Sequence, residues 1–235
     1  MKAKLKATAI ILAGGCGRRF GGARPKQLAR LAGRPLLGYT LEAFEESPNV
    51  EGIVLVAPEG YLDAHRRIAK KFAPRKTRAI VAGGQTRQAS SLAGVEAASW
   101  AELVLIHDAA RPFVTNPIIR ASIEAAQRSG ASVAAVQSVD TILTASRGFV
   151  RDILKRDGLM NMQTPQGFRR PIILEAHRRA LADGLSDATD DVGLVLRLAG
   201  KVEVVAGSYE NIKITTAADL VSAKCILERR QKAGV

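Results

Sequence analysis

Ala9-Ile10-Ile11-Leu12-Ala13 runs straight into Gly14-Gly15-Cys16-Gly17-Arg18-Arg19, and Arg24-Pro25-Lys26-Gln27 follows at once. A glycine-rich turn after a buried strand exposes consecutive backbone N–H groups, and such a nest binds phosphate oxygens. Arg18, Arg19 and Lys26 would set full positive charges around the same cavity. No Gly-x-x-x-x-Gly-Lys-Ser/Thr run occurs, and the dinucleotide fingerprint fails because Phe20 stands where its last glycine belongs. The segment therefore points to a nucleoside triphosphate, cradled by Ala13, Gly14, Gly15 and Gly17.

Three further runs carry groups able to do chemistry. In Gly83-Gly84-Gln85-Thr86-Arg87-Gln88-Ala89-Ser90, the backbone of Gly83 and Gly84 with Ser90 could read the edge of a base, or form an ordinary turn with Thr86 as helix cap. In His107-Asp108-Ala109-Ala110-Arg111-Pro112, Asp108 could bind a ribose hydroxyl or lie near a nucleotide-bound Mg²⁺. Arg111 could hold Asp108 in a structural pair or reach a phosphate, while His107 suits packing or a hydrogen bond better than acid–base work. In Glu210-Asn211-Ile212-Lys213-Ile214-Thr215-Thr216, an alternating strand would aim Lys213 away from Ile212 and Ile214, toward a phosphate or into solvent, and a threonine could cap the final helix. No Ser–His or Cys–His pair stands out, so a covalent mechanism is not suggested.

These groups need a frame, and the sequence alternates short β-branched runs with helical patterns. That alternation predicts an α/β fold with a Rossmann-like, mostly parallel sheet flanked by helices, in a single nucleotidyltransferase domain over 1–235. Strands are expected at Thr8–Ala13, Gly52–Ala57, Arg78–Val81, Leu103–His107, Ser132–Val136 and Val202–Val205. Helices are expected near Tyr39–Glu46, Leu62–Phe72, Thr86–Ala98, Pro117–Arg128, Pro171–Ala182, Val192–Ala199 and Ala217–Arg230, with Asn116 as the cap before Pro117. Ligands of such a sheet sit at the carboxyl ends of its strands, where several of these residues fall. From about 137 to 167 the alternation breaks. Val139–Leu143 and Phe149–Leu154 read as a projecting hairpin, followed by a loop to Thr164-Pro165. Two strands without a core are marginal in water, so this arm is expected to pack on a second subunit.

Composition closes off other classes. The 235 residues carry a net charge of +13, but the basic residues are dispersed and aromatics make up only 4%, which argues against nucleic acid as the partner. No apolar run approaches the roughly 20 residues of a membrane span. The lysines before Ala7–Ala13 resemble a short secretory leader, yet cleavage there would remove the strand that the glycine loop needs. Cys16 and Cys225 make neither a metal cluster nor a disulfide framework, in keeping with a reducing cytoplasm.

Together the motifs resemble the 2-C-methyl-D-erythritol 4-phosphate cytidylyltransferase family. The matching pieces, in family order, are Leu12-Ala13-Gly14-Gly15 through Arg19, Pro25-Lys26-Gln27, His107 through Pro112, Gln163-Thr164-Pro165-Gln166 and Asn211-Ile212-Lys213. The resemblance covers about Ala7 to Glu228. It implies that CTP and a polyol phosphate, methylerythritol phosphate, give a cytidyl diphosphate and pyrophosphate, with Mg²⁺ bound mainly through the CTP phosphates. It also implies a cytoplasmic homodimer embraced by the arm. By family pattern Arg19, Lys26 and Lys213 are catalytic. Gly83, Gly84, Gln85 and Ser90 would read cytosine, with Asp108 and Ala109 at the nucleotide. Arg111, Thr141, Arg156 and Thr164 would bind the acceptor, Arg156 coming across the dimer. Two departures stand out: Leu12-Ala13-Gly14-Gly15 replaces the common Pro-Ala-Ala-Gly, and Gln85 replaces a common acid. The same opening and the Asn-Ile-Lys-Ile-Thr-Thr ending also resemble ribitol 5-phosphate cytidylyltransferases, against which Ala109-Ala110 weighs. A non-catalytic nucleotide-binding module is the distant alternative.

Overall fold

The apolar runs become the interior of one sheet. In the computed structural model, which describes residues 6–14 and 25–232, every residue of β1 (Ala7–Leu12) is buried. A two-residue hairpin, β2 (Arg30–Leu31) and β3 (Arg34–Pro35), leads into α1 (Leu36–Glu46). Then come β4 (Val50–Ala57), α2 (Leu62–Phe72), β5 (Thr77–Ala82), α3 (Arg87–Ala97) and β6 (Leu103–Asp108). The second half contains α4 (Asn116–Ser129), β7 (Ala131–Gln137), β8 (Leu143–Ser146), β9 (Phe149–Ile153) and β10 (Met160–Arg169). It ends with α5 (Arg170–Ala182), α6 (Val192–Arg197), β11 (Glu203–Ala206) and α7 (Ala217–Lys232).

Seven strands form the main sheet in the order β11-β7-β10-β6-β1-β4-β5. All neighbours are parallel except β10, which runs antiparallel to both β6 and β7. Side chains alternate across it. Ile11, Leu55 and Leu105 pack with Leu41, Phe44 and Ile119 on one face, and Ile10, Val56 and Ile106 with Val95, Ile173 and Val195 on the other. A third cluster, from Leu31, Leu36, Phe113, Ile214 and Ala223, seats α7 against β2 and the start of α1.

Four local expectations are corrected. The stretch expected as a loop to Thr164-Pro165 is β10, a central strand. Its polar residues, Pro165 and Gly167 disguise it: the ladder skips from Met162 to Gln166, so the proline sits in an irregularity where no bond is lost. Gly167 is required there, since a Cβ would lie 2.6 Å from Ser132 Oγ and 2.8 Å from the Ser122 carbonyl. The hairpin strands are β8 and β9, turning at Arg147-Gly148, so the first starts at Leu143 where the sequence pattern suggested it would end. The residue capping α4 is Thr115, with Asn116 already helical. Finally, Asn211–Thr215 is not a strand, and the start of α7 is held by Asp219, whose carboxylate accepts from the backbone N–H of Thr215 at 2.7 Å and Thr216 at 2.8 Å.

Candidate functional site

Because β1, β4, β5 and β6 are parallel, their carboxyl ends meet at one edge of the sheet. Leu12 pairs in register with Asp108, and Ala109 N–H donates to the Leu12 carbonyl at 3.0 Å. Ala13 N–H reaches the Val56 carbonyl at 2.7 Å, and Gly83 N–H the Ala57 carbonyl at 2.8 Å. The ends of the phosphate loop, the base-reading turn and the Asp108 run are thereby brought together. Gly15, Gly17 and Arg19 lie outside the described residues, so the structure assigns them no place.

Gly14 and Gly83 both face Ser90. A Cβ on Gly83 would lie 2.8 Å from Ser90 Oγ, and one on Gly14 3.3 Å away, so neither position admits a larger residue without movement. Thr86 caps α3, its hydroxyl accepting from Ala89 N–H at 3.1 Å, and Ser90 Oγ donates back to the Thr86 carbonyl at 2.9 Å. Gly84 and Gln85 are exposed at the rim.

Asp108, at the end of β6, is buried but ionised. Burial pushes its carboxyl up; Lys213, with Nζ 2.7 Å from Oδ2, and Arg87, with Nε 3.7 Å from Oδ1, pull it down further, well below the usual range. Arg111 does not complete the structural pair with Asp108 considered above: it donates to the Asn211 carbonyl at 2.7 Å instead. Asn211, wholly buried, donates to the Thr164 carbonyl at 2.9 Å and to Gln163 Oε1 at 3.2 Å. Ile214 N–H donates to the Ala110 carbonyl at 2.9 Å. The segment from Asn211 to Ile214 is pinned at both ends, and the exposed Lys213 between them sets its amine against Asp108. Lys26, opening a short 3-10 turn, donates through Nζ to the Ile214 carbonyl at 2.9 Å. Two lysines from opposite ends of the chain are thus tied to one segment, Lys213 within it and Lys26 by its bond to Ile214.

Thr164 is also here, yet its proton is spoken for. His107 Nε2 lies 3.1 Å from the Arg111 carbonyl, which can only accept, so Nε2 carries the imidazole proton. Nδ1 is then an acceptor, and the Thr164 hydroxyl, 3.1 Å away, donates to it while accepting from Asp108 N–H at 3.2 Å. Thr164 therefore aligns Asp108 from behind. Thr141 and Arg156 bond to each other at 3.2 Å within the arm, and within the described chain they do not join this group.

His107 supplies a test. Burial, partly offset by the Arg111 carbonyl, pushes it down to about 4. The unfolded chain titrates near about 6.5, so between these values it binds a proton that the folded state refuses. Stability is whole above about pH 6.5 and falls by as much as ~3 kcal/mol as pH drops toward about 4. Urea unfolding across that range should show this slope, and His107→Gln should flatten it; an unchanged slope would contradict the reading that burial holds His107 neutral.

Two residues near the site carry no role in the sequence reading. Arg87 stands within the base-reading turn and Asp191 follows Thr189-Asp190; the structure buries Asp191 completely and pairs the two at 2.7 Å.

Residues 7–229 match the family model described as 2-C-methyl-D-erythritol 4-phosphate cytidylyltransferase. A protein of that name from Clostridium novyi (strain NT) is 42% identical over 227 residues, covering 95% of this chain and 97% of that protein. Another from Syntrophus aciditrophicus (strain SB) is 43% identical over 231 residues, covering 97% and 98%. The crystal structure of 4-diphosphocytidyl-2C-methyl-D-erythritol synthase from Anaerococcus prevotii DSM 20548 superposes with a TM-score of 0.84 at 32% identity, covering 96% of this chain and all of that one.

Proposed function

The chain belongs to the 2-C-methyl-D-erythritol 4-phosphate cytidylyltransferase family, and from that premise we propose how its site works. The enzyme is a nucleotidyltransferase that moves the cytidylyl group of CTP onto 2-C-methyl-D-erythritol 4-phosphate. The products are 4-diphosphocytidyl-2-C-methyl-D-erythritol and pyrophosphate, in non-mevalonate isoprenoid biosynthesis. The observation that carries the mechanism is the anchoring of both lysines on one short segment: Lys213, paired with Asp108, is followed by Ile214, whose carbonyl accepts from Lys26.

The acceptor phosphate is already a nucleophile at neutral pH, so no general base is needed. One of its oxygens attacks the α-phosphorus, the bond to the bridging oxygen breaks, and pyrophosphate leaves with the electron pair. The protein must hold two anions in line and neutralise the charge that accumulates on the α-phosphate and the leaving group. Lys213 and Lys26 face that point, Arg19 serves the β- and γ-phosphates, and the Gly83–Ser90 turn reads cytosine.

Mg²⁺, when bound, would screen the triphosphate charge. Asp108, whose oxygens face Arg87 and Lys213, would lie near it rather than cage it, and among the described residues no group of three or more His, Cys, Asp or Glu could hold a metal. That donor set fits an ion carried mainly by the CTP phosphates.

The chain works as one nucleotidyltransferase domain, and we assign the arm to a second copy of it. Every residue of β8 and β9 is exposed, including Leu143, Phe149, Val150 and Ile153. Such a surface calls for a partner, which would bring Arg156 and Thr141 to the acceptor site of its neighbour. We place the enzyme in the cytoplasm; as a separate observation, no helix among the described residues is long and apolar enough to cross a membrane.

Pyrophosphate release from CTP and Mg²⁺, with methylerythritol 4-phosphate and ribitol 5-phosphate in parallel, tests the assignment. Release is expected with the first acceptor; release with ribitol phosphate alone would move the enzyme to polymer biosynthesis.

A further inference from the structure

Behind Asp108 lies a buried polar cluster that the transfer chemistry does not use. Asp191, fully buried just ahead of α6, accepts at Oδ1 from Ser91 Oγ at 2.6 Å and from His177 Nε2 at 3.0 Å. Its Oδ2 accepts from Arg87 at 2.7 Å, and its backbone N–H donates to Gln166 Oε1 at 3.1 Å. The carboxylate thus ties α3 to α5, and the backbone of the same residue joins them to β10 at the start of α6. The same Arg87 guanidinium turns its Nε toward Asp108 Oδ1, but at 3.7 Å, a full ångström longer than its contact with Asp191.

That asymmetry has a use. Asp108 has two candidate cations, Arg87 and Lys213, and a guanidinium makes the stronger, bidentate pair with a carboxylate. Left to itself, the half-buried Arg87 would close on Asp108 and displace the lysine. Asp191 occupies one edge of the fork and holds it back, so that Oδ2 of Asp108 remains for Lys213 at 2.7 Å. We propose that Asp191 is a positioning residue that restrains Arg87 and thereby reserves Asp108 to orient Lys213. Part of this, the step from Lys213 to turnover, rests on the cytidylyl-transfer reading; the geometry of the pair does not.

The experiment therefore has two readouts. Asp191→Asn keeps size and can still accept from Ser91 and His177 at Oδ1, but it removes the charge that restrains Arg87. In the full-length protein, acylation of the Lys213 amine by a water-soluble active ester, followed by peptide mass spectrometry, should rise several-fold. Turnover per folded molecule should fall about tenfold with the KM for CTP changed by less than about threefold, the pattern of an interaction used in the transition state. Adding Arg87→Met removes the competitor, so the double variant should regain both Lys213 protection and most of the turnover. A purely structural role predicts no recovery. Unchanged labelling in Asp191→Asn, or a double variant no better than the single, would overturn the proposal. Should Asp191→Asn fail to fold, Arg87→Met alone, which removes the competitor, should leave Lys213 at least as protected as in the unmodified protein, and a rise in labelling there would refute the proposal. Absence of pyrophosphate release in the unmodified enzyme would refute the cytidylyl-transfer reading alone, since the labelling result stands apart from it.

Discussion

Lys213→Ala lowers kcat by roughly 10² to 10³, the usual consequence of removing one preorganised donor from a site that works by charge neutralisation. The fold should be indifferent to the change. Lys213 is the exposed residue between two buried anchors, and Asn211 and Ile214 keep their hydrogen bonds without it. Asp108 keeps Arg87 as a neighbour, so no buried charge is stranded. Lys26→Ala should cost a similar factor and should also raise the KM for CTP, because Lys26 serves the phosphates already in the ground state. Steady-state pyrophosphate release with thermal unfolding as a control decides both. Near-normal turnover in either variant would remove that lysine from the mechanism.

The second large effect is predicted far from those lysines. Phe149→Asp puts a carboxylate on the exposed arm beside its turn, where Phe149 is 76% exposed in the isolated chain. A dimer closed over the arm would have to bury the charge unpaired, which costs enough to dissociate it. Sedimentation should show a folded monomer, and turnover should drop by about two orders of magnitude as Arg156 is withdrawn from the neighbouring site. Complementation sharpens the test. An equimolar mixture of Arg156→Ala and Lys213→Ala chains, each nearly inactive, should recover about a quarter of normal activity, because half the dimers carry one intact composite site. No recovery, or a fully active Phe149→Asp monomer, would place Arg156 outside the site.

The parts of this molecule visible in its sequence are those where one physical signal dominates. β1, β4 and β6 announce themselves because strands buried on both faces must be apolar throughout. Lys213 was legible because its neighbours Ile212 and Ile214 are apolar, although the pinning comes from hydrogen bonds to Asn211 and Ile214 rather than from a strand. β10 was hidden because its middle residues are chosen for the site, where Gln163, Thr164 and Gln166 each serve a named polar partner. Composition rules weigh such residues as loop. Asp191 was hidden for a different reason: burial of a single charge depends on Ser91, Arg87 and His177 arriving from distant parts of the chain.

The strand β10 leaves the arm and enters the sheet at a fixed place. Met160 pairs with Gln137, the last residue of β7, so the two roots of the excursion are hydrogen-bonded neighbours before the arm begins. An insert whose ends already meet can be lengthened, shortened or exchanged without shifting the register of anything behind it. In evolutionary terms the arm is a cassette. Its sequence can drift with its counterpart on the other subunit while Thr164, Asp108 and the two lysines stay where they are.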